Sequence, residues 1–257
     1  MQGSIDIDHR PAVQYLLRVG DTCLILGQRL SEWCGHAPVL EEDIAMANMA
    51  LDLIGQARAV LTHAGAIEGR GRDEDQLAFL RDERDYRNLT LVELPRGDFA
   101  FTVMRNAMVA TLMKLLWERL VDSSDEELAG IAGKAVKEAR YHQQHAADWV
   151  VRLGDGTAES RRRTEAALRE LWLYMPELFE SDAVDDACQA IALGPRWIDL
   201  REPWLAEMRS ILDEATLAMP AESAFRSSGK RGLHSEHMGY ILADMQFLQR
   251  AFPGGVW

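Results

Sequence analysis

The chain has 257 residues, 47% hydrophobic and 27% charged, the proportions of an ordinary folded protein large enough to bury a substantial core. Its formal net charge of −13 argues against general nucleic-acid binding, because no basic excess is available to displace phosphate counterions. The start, MQGSIDIDHRPAV, lacks a basic region followed by an apolar run. No stretch approaches the ~18 uncharged apolar residues of a membrane span, so a cytoplasmic protein is expected. Cys23, Cys34 and Cys188 are odd in number and form no C-x-x-C, which fits reduced, mostly packed thiols.

After a polar arm over residues 1–10, Pro11 opens a helix running to about Glu32, with Val13, Leu16, Leu17, Leu24 and Leu30 in helical rhythm and Gly20 and Gly27 as close-packing points. The short turn Cys34–Pro38 returns the chain antiparallel into a second helix from Leu40 to about Ala66. That helix is apolar nearly all round, which predicts a central position. Asn48, Asp52 and Gln56 nevertheless stack on one of its faces, and Gly55 would let another backbone approach. Residues 74–90 begin helically and become dense in charge, with Arg81, Arg84 and Arg87 along one side. Asp98 caps a helix from Phe99 to Val121, Ser123 or Ser124 starts another to about Leu153, and Thr157 a third toward Pro176. Residues 180–201 show no clear pattern; Pro203 opens a helix to Leu217, and His234 or Ser235 starts the last one, to Ala251. Strand-like runs are almost absent. The prediction is all-α: a single domain over 1–257, with additional helices over 180–257.

Long antiparallel helices with polar groups in their middle suggest a ferritin-like bundle. Di-iron sites in such bundles use a Glu from each of two helices and a Glu-x-x-His from each of two others. Six of the seven histidines, His36, His63, His142, His145, His234 and His237, have Trp33, Val60, Ala139, His142, Arg231 and His234 three places earlier, none of them acidic. The seventh, His9, follows Asp6, but in the arm, where a solvated pair is expected. What remains is a near miss: Glu32, Asn48, Asp52, Gln56, Glu138 and His142 read as the positions of a decayed metal site, hydrogen-bonded among themselves and holding no metal. The rival is an autonomous ferritin-like iron oxidase using Glu138, His142, Asp52 and Glu32. The pairs His142/His145 and His234/His237 could meet zinc or iron if brought together, but a capping His234 or Ser235 and a solvated His145 are favoured. The arginines at 81, 84 and 87 could meet a nucleotide-like ligand such as coenzyme A; Asp82, Glu83 and Asp85 between them favour a self-paired solvent face. Phe247, Phe252 and Trp257 read as core or as a partner-facing surface.

The segments DTCLILGQRLSEWCGHAPVLEEDIAMANMALDLIGQAR, LAFLRDERDYRNL, KAVKEARYH, GLHSEHMG and ADMQFLQRAFPGGVW resemble the family of structural C subunits of bacterial phenylacetyl-CoA epoxidases. The resemblance runs from about Tyr15 to Trp257. It implies a ferritin-like, non-catalytic subunit that has lost its iron site and carries no cofactor. It would support a sister di-iron subunit that epoxidises the ring of phenylacetyl-CoA with O2 and NADPH-derived electrons, alongside small and reductase subunits. It also places Asp85, Tyr86, Arg87 and Asn88 near the coenzyme A ligand.

Overall fold

A computed structural model describes residues 3–255. Among these the chain is all-α, with one isolated antiparallel bridge between Ser228 and Leu233 and no strand. Its helices are α1 (Pro11–Ser31), α2 (Leu40–Glu68), α3 (Glu74–Phe79), α4 (Phe99–Leu120) and α5 (Glu126–Gly154). They continue as α6 (Ala158–Leu171), α7 (Met175–Leu178), α8 (Ala183–Ala190), α9 (Arg201–Glu214) and α10 (Glu236–Ala251). Two compact units interleave along the sequence. The first draws on the stretch up to Cys34, on Ile44–Pro95 and on the chain from Ser227; the second takes Gly35–Asp43 and Arg96–Arg226.

In the first unit α1 and most of α2 pack antiparallel, and two glycines set their distance. A Cβ on Gly20 would lie 3.1 Å from the Leu61 side chain, and one on Gly27 3.1 Å from Ile54 and 3.3 Å from the Ala50 carbonyl. Larger residues there would push the helices apart. The N-terminal arm is not a solvated tail. Ile7 and Asp8 are buried, and the Ile5 amide donates to the Leu80 carbonyl at 3.0 Å. Asp6 and His9 themselves stay exposed. Arg10 ties the arm down: its guanidinium donates to the carbonyls of Ile67 (3.0 Å) and Glu68 (2.8 Å), the last-turn acceptors of α2 that have no partner within the helix. The hydrogen bonds from Arg10 hold the Asp8 carboxyl well below the usual range, at about 2.

In the second unit α4 is the buried helix. Every residue from Ala100 to Met113 is buried. The place that composition predicts for α2 therefore belongs to α4. Both carry windows long and apolar enough to cross a membrane by length and composition, but α4 buries 83% of that window and α2 only 44%, leaving Leu40, Ile44 and Leu51 exposed. α4 pairs antiparallel with α5, Phe99 meeting Trp149 edge-on with ring centroids 4.9 Å apart. α9 closes over α4 through Trp204, whose indole N–H donates to the Met108 carbonyl at 2.8 Å while its ring packs on Trp172 and Phe179. The α5 and α9 ends meet so closely at Gly154 that a Cβ there would lie 2.5 Å from the Ala215 carbonyl.

The caps at Asp98 and Thr157 are those expected from sequence: their side chains accept from the amides of Phe101 and Ser160. The α5 cap is Asp125, not Ser123 or Ser124, whose hydroxyls instead donate to the carbonyls of Leu193 and Ile191. α8, capped by Asp182, fills part of the stretch in which the sequence shows no pattern. Cys23 and Cys188 are buried thiols, while Cys34 is exposed.

Candidate functional site

The segment from Arg81 to Glu93 is the polar centre of the first unit, and it faces inward. α1 contributes a line of buried polar groups, Gln14, Arg18 and Asp21, spaced four and three apart so that they share one helix face. Arg81 is fully buried and forms a forked ion pair with Asp21 (Nη1 to Oδ2, 2.9 Å). Its guanidinium carbon lies 4.2 Å from the centre of the Tyr86 ring, which is also fully buried. Burial pushes the Tyr86 phenol above its ordinary value. That hydroxyl donates to the Ala78 carbonyl and accepts from Gln246 of α10 at 3.1 Å. The Arg87 amide donates to Asp21 (2.8 Å), and its guanidinium to Gln14 (2.7 Å) and to the carbonyls of Arg84 and Tyr86. The self-paired solvent face expected for Arg81, Arg84 and Arg87 is thus absent. Only Arg84 is exposed, because the 3-10 turn Glu83–Asp85 points Arg81 and Arg87 inward, toward acceptors on α1.

Glu93 is a second anchor that the sequence reading passes over. Its carboxylate accepts from four groups: Asn88 Nδ2 (2.8 Å), His234 Nδ1 (2.6 Å), and the amide and hydroxyl of Ser235 (both 2.7 Å). The other ring nitrogen of His234 faces the Tyr86 carbonyl at 3.1 Å. With an acceptor at each nitrogen, the imidazole makes both bonds only as the doubly protonated cation. Burial works against that charge, but the hydrogen bond and charge of Glu93 outweigh it and raise the His234 pKa above its ordinary value. Arg29 adds two bonds to the Glu93 carbonyl (3.0 and 2.6 Å). The cluster fastens the start of α10 to the 86–93 segment. Two glycines let the 229–232 turn lie on it. Gly229 has the Asn88 carbonyl where a Cβ would sit, with the Thr90 amide nitrogen 2.9 Å from the same point. Gly232 adopts φ +79, with the Arg84 carbonyl against the place of its missing Cβ. Ser235 caps α10, as expected from sequence.

Of the six positions read as a decayed metal site, four lie in the first unit and two in the second. In the first unit the line on α2 sinks along its length, from an exposed Asn48 through a half-buried Asp52 to a buried Gln56. The Gln56 carbonyl oxygen accepts from the Cys23 thiol at 3.6 Å. Glu32 lies just beyond α1, exposed, accepting from Arg29 at 2.6 Å in a surface ion pair. Gly55 is exposed, with nothing within 4 Å of where its Cβ would be. In the second unit His142 is buried on α5 and Glu138 half-buried one turn before it. His145 is not solvated: its ring pairs with Glu42 at 2.9 Å, both side chains largely covered. Among the described residues no three His, Cys, Asp or Glu side chains are grouped to hold a metal ion. The six are three carboxylates (Glu32, Asp52 and Glu138), two amides (Asn48 and Gln56) and one imidazole (His142), and none of the carboxylates stands three residues before a histidine.

Of the sequence-predicted site residues, the structure brings Tyr86, Arg87 and Asn88 into one buried network and leaves Asp85 half-exposed at its edge. Asp21, Gln14, Glu93 and Gln246 were missed. The signal for two of them was available: Gln14, Arg18 and Asp21 recur at helical spacing inside an otherwise apolar helix.

Comparison with known proteins gives two matches. Residues 2–257 match the family described as Phenylacetic acid catabolic protein, whose fold is a ferritin-like helical bundle. The chain is also 50% identical over 245 residues to the C subunit of the 1,2-phenylacetyl-CoA epoxidase of Escherichia coli (strain K12), covering 95% of this chain and 98% of that one.

Proposed function

The chain belongs to the phenylacetic acid catabolic protein family, and we propose that it is the structural subunit of a cytoplasmic, multicomponent phenylacetyl-CoA epoxidase. In this reading it pairs with a di-iron subunit that epoxidises the aromatic ring with O2 and NADPH-derived electrons. It supports that subunit and performs no chemistry itself. The observation that carries the reading is the donor set: no core histidine has an acid three residues before it, and the Gln56 oxygen is engaged by a thiol. The half-exposed apolar face of α2, with Ile44 54% and Leu51 65% exposed, supports a covering partner. The Tyr86 hydroxyl, the Arg87 guanidinium and the Asn88 amide nitrogen bond neighbouring protein groups. We assign the 85–88 segment a positioning role: it shapes the surface near the coenzyme A ligand from behind.

The test is the metal content and size of the purified chain, alone and co-expressed with the di-iron subunit. Iron only in the co-purified complex, with a shift to a larger species, is expected. Stoichiometric iron in the lone chain, with O2 consumption, would overturn the reading. In the complex, Asp52→Ala and Glu138→Ala should lower the yield of assembled enzyme while leaving turnover per assembled, iron-loaded complex within about twofold. Loss of turnover in fully loaded complexes would refute a purely structural role.

A further inference from the structure

α10 covers the polar network with one face and leaves the other exposed. Leu242 and Gln246 point inward, whereas Tyr240, Phe247, Leu248 and Phe252 are each at least half exposed. Phe247 and Phe252 are therefore surface rather than core; Trp257 lies outside the described residues. Beside this face runs a groove of about 410 Å³ between α10 and the Glu83–Asp85 turn. Gly239 and Ala243 make a shallow floor, Phe247 forms a wall, and Asp82 and Glu83 form the opposite rim. Arg250 lines the same groove, but its guanidinium is engaged by the carbonyls of Phe79 and Arg81 and by Asp82 at 3.1 Å. Among the described residues Glu83 has no such cation: its carboxylate lies over Gly239, 3.5 Å from where a Cβ would be.

We infer that this groove is a docking site for one amphipathic helix of a partner subunit, seated by apolar side chains and carrying Lys or Arg opposite Asp82 and Glu83. The inference rests on the proposed role as a subunit of an assembly. Three features specify the occupant. The groove from Gly239 to Arg250 is roughly 16 Å long, at 1.5 Å per residue, the length of about three helical turns. Its walls are mostly apolar, so an extended segment would bury backbone N–H and C=O groups without partners; a helix satisfies its own. The floor residues Gly239 and Ala243, four apart, let a helix backbone approach closely, and the acidic rim selects cations. Burying exposed aromatic rings supplies the affinity, and the rim supplies orientation.

The experiment uses the co-expressed complex and measures subunit affinity at two salt concentrations for wild type, Phe247→Glu, Ala243→Trp and Glu83→Lys. Ala243 and Phe247 are exposed, so the isolated variants keep the wild-type circular dichroism spectrum and unfolding midpoint. Ala243→Trp fills the groove and Phe247→Glu charges its wall; each is expected to weaken binding of one subunit tenfold or more. Glu83→Lys is expected to weaken the same step and flatten its salt dependence. Wild-type assembly with unchanged affinity in all three variants overturns the groove while leaving the subunit role intact. A wild-type chain that binds no other subunit overturns both. A homodimer of the chain that Phe247→Glu dissociates replaces the proposed occupant with a second copy.

Discussion

The Asp21–Arg81 pair makes the sharpest test of how the first unit is held together. Both side chains are fully buried, and the fork between them is joined by the Arg87 amide at 2.8 Å and the Tyr86 ring at 4.2 Å. Asp21→Asn is nearly isosteric and still offers an oxygen to the Arg87 amide, so what it removes is the charge. Arg81 is then a buried cation without its counter-ion, a loss of about 3–5 kcal/mol. Arg81→Met strands the Asp21 carboxylate at a similar cost. The double variant Asp21→Asn/Arg81→Met removes both charges and keeps most of the packing, so it should lie within about 2 kcal/mol of wild type, because a well-packed apolar replacement escapes the desolvation penalty. Against a total stability of about 5–15 kcal/mol, each single loss is large enough to move a urea midpoint clearly. The assay is equilibrium urea unfolding followed by far-ultraviolet circular dichroism on all four proteins. Single substitutions costing less than about 1 kcal/mol, or a double variant equal to the sum of the singles, would refute the coupling.

The His234–Glu93 pair predicts a pH dependence. The folded pKa of His234 is raised above its ordinary value, so its contribution is complete below the unfolded value of about 6.5 and is lost as pH rises through the folded value. Wild type should lose its stability advantage over His234→Gln as pH rises across that interval; parallel pH profiles of the two would contradict the charged pair. Gly229→Ala places a methyl against the Asn88 carbonyl and should cost about 1–3 kcal/mol by displacing the turn from the 86–93 segment. Faster amide hydrogen exchange in α10 would show the displacement, and unchanged exchange together with unchanged stability would argue that the contact is slack.

The all-α class, the antiparallel return at Cys34–Pro38 and the caps at Asp98, Thr157 and Ser235 are legible in the sequence because each depends on nearby residues. A cap is a bond across two or three positions, and a helix is a periodicity within one window. The missing Glu-x-x-His pairs are legible for the same reason. Burial is a different kind of quantity. α2 and α4 are both long and apolar, yet α4 is covered all round and α2 leaves Ile44 and Leu51 exposed, because coverage depends on which other helices arrive. Arg81 and Arg87 sit among Asp82, Glu83 and Asp85 and look from sequence like a solvent-facing self-paired strip. Their partners are Asp21 and Gln14, more than fifty residues earlier, and a buried guanidinium is tolerable only when such distant acceptors converge on it. Glu93 is likewise an unremarkable acid until His234 and Ser235 return to it from the far end of the chain. Local chemistry thus sets the helices and their caps, and tertiary contact decides which charges are interior and which apolar faces stay exposed.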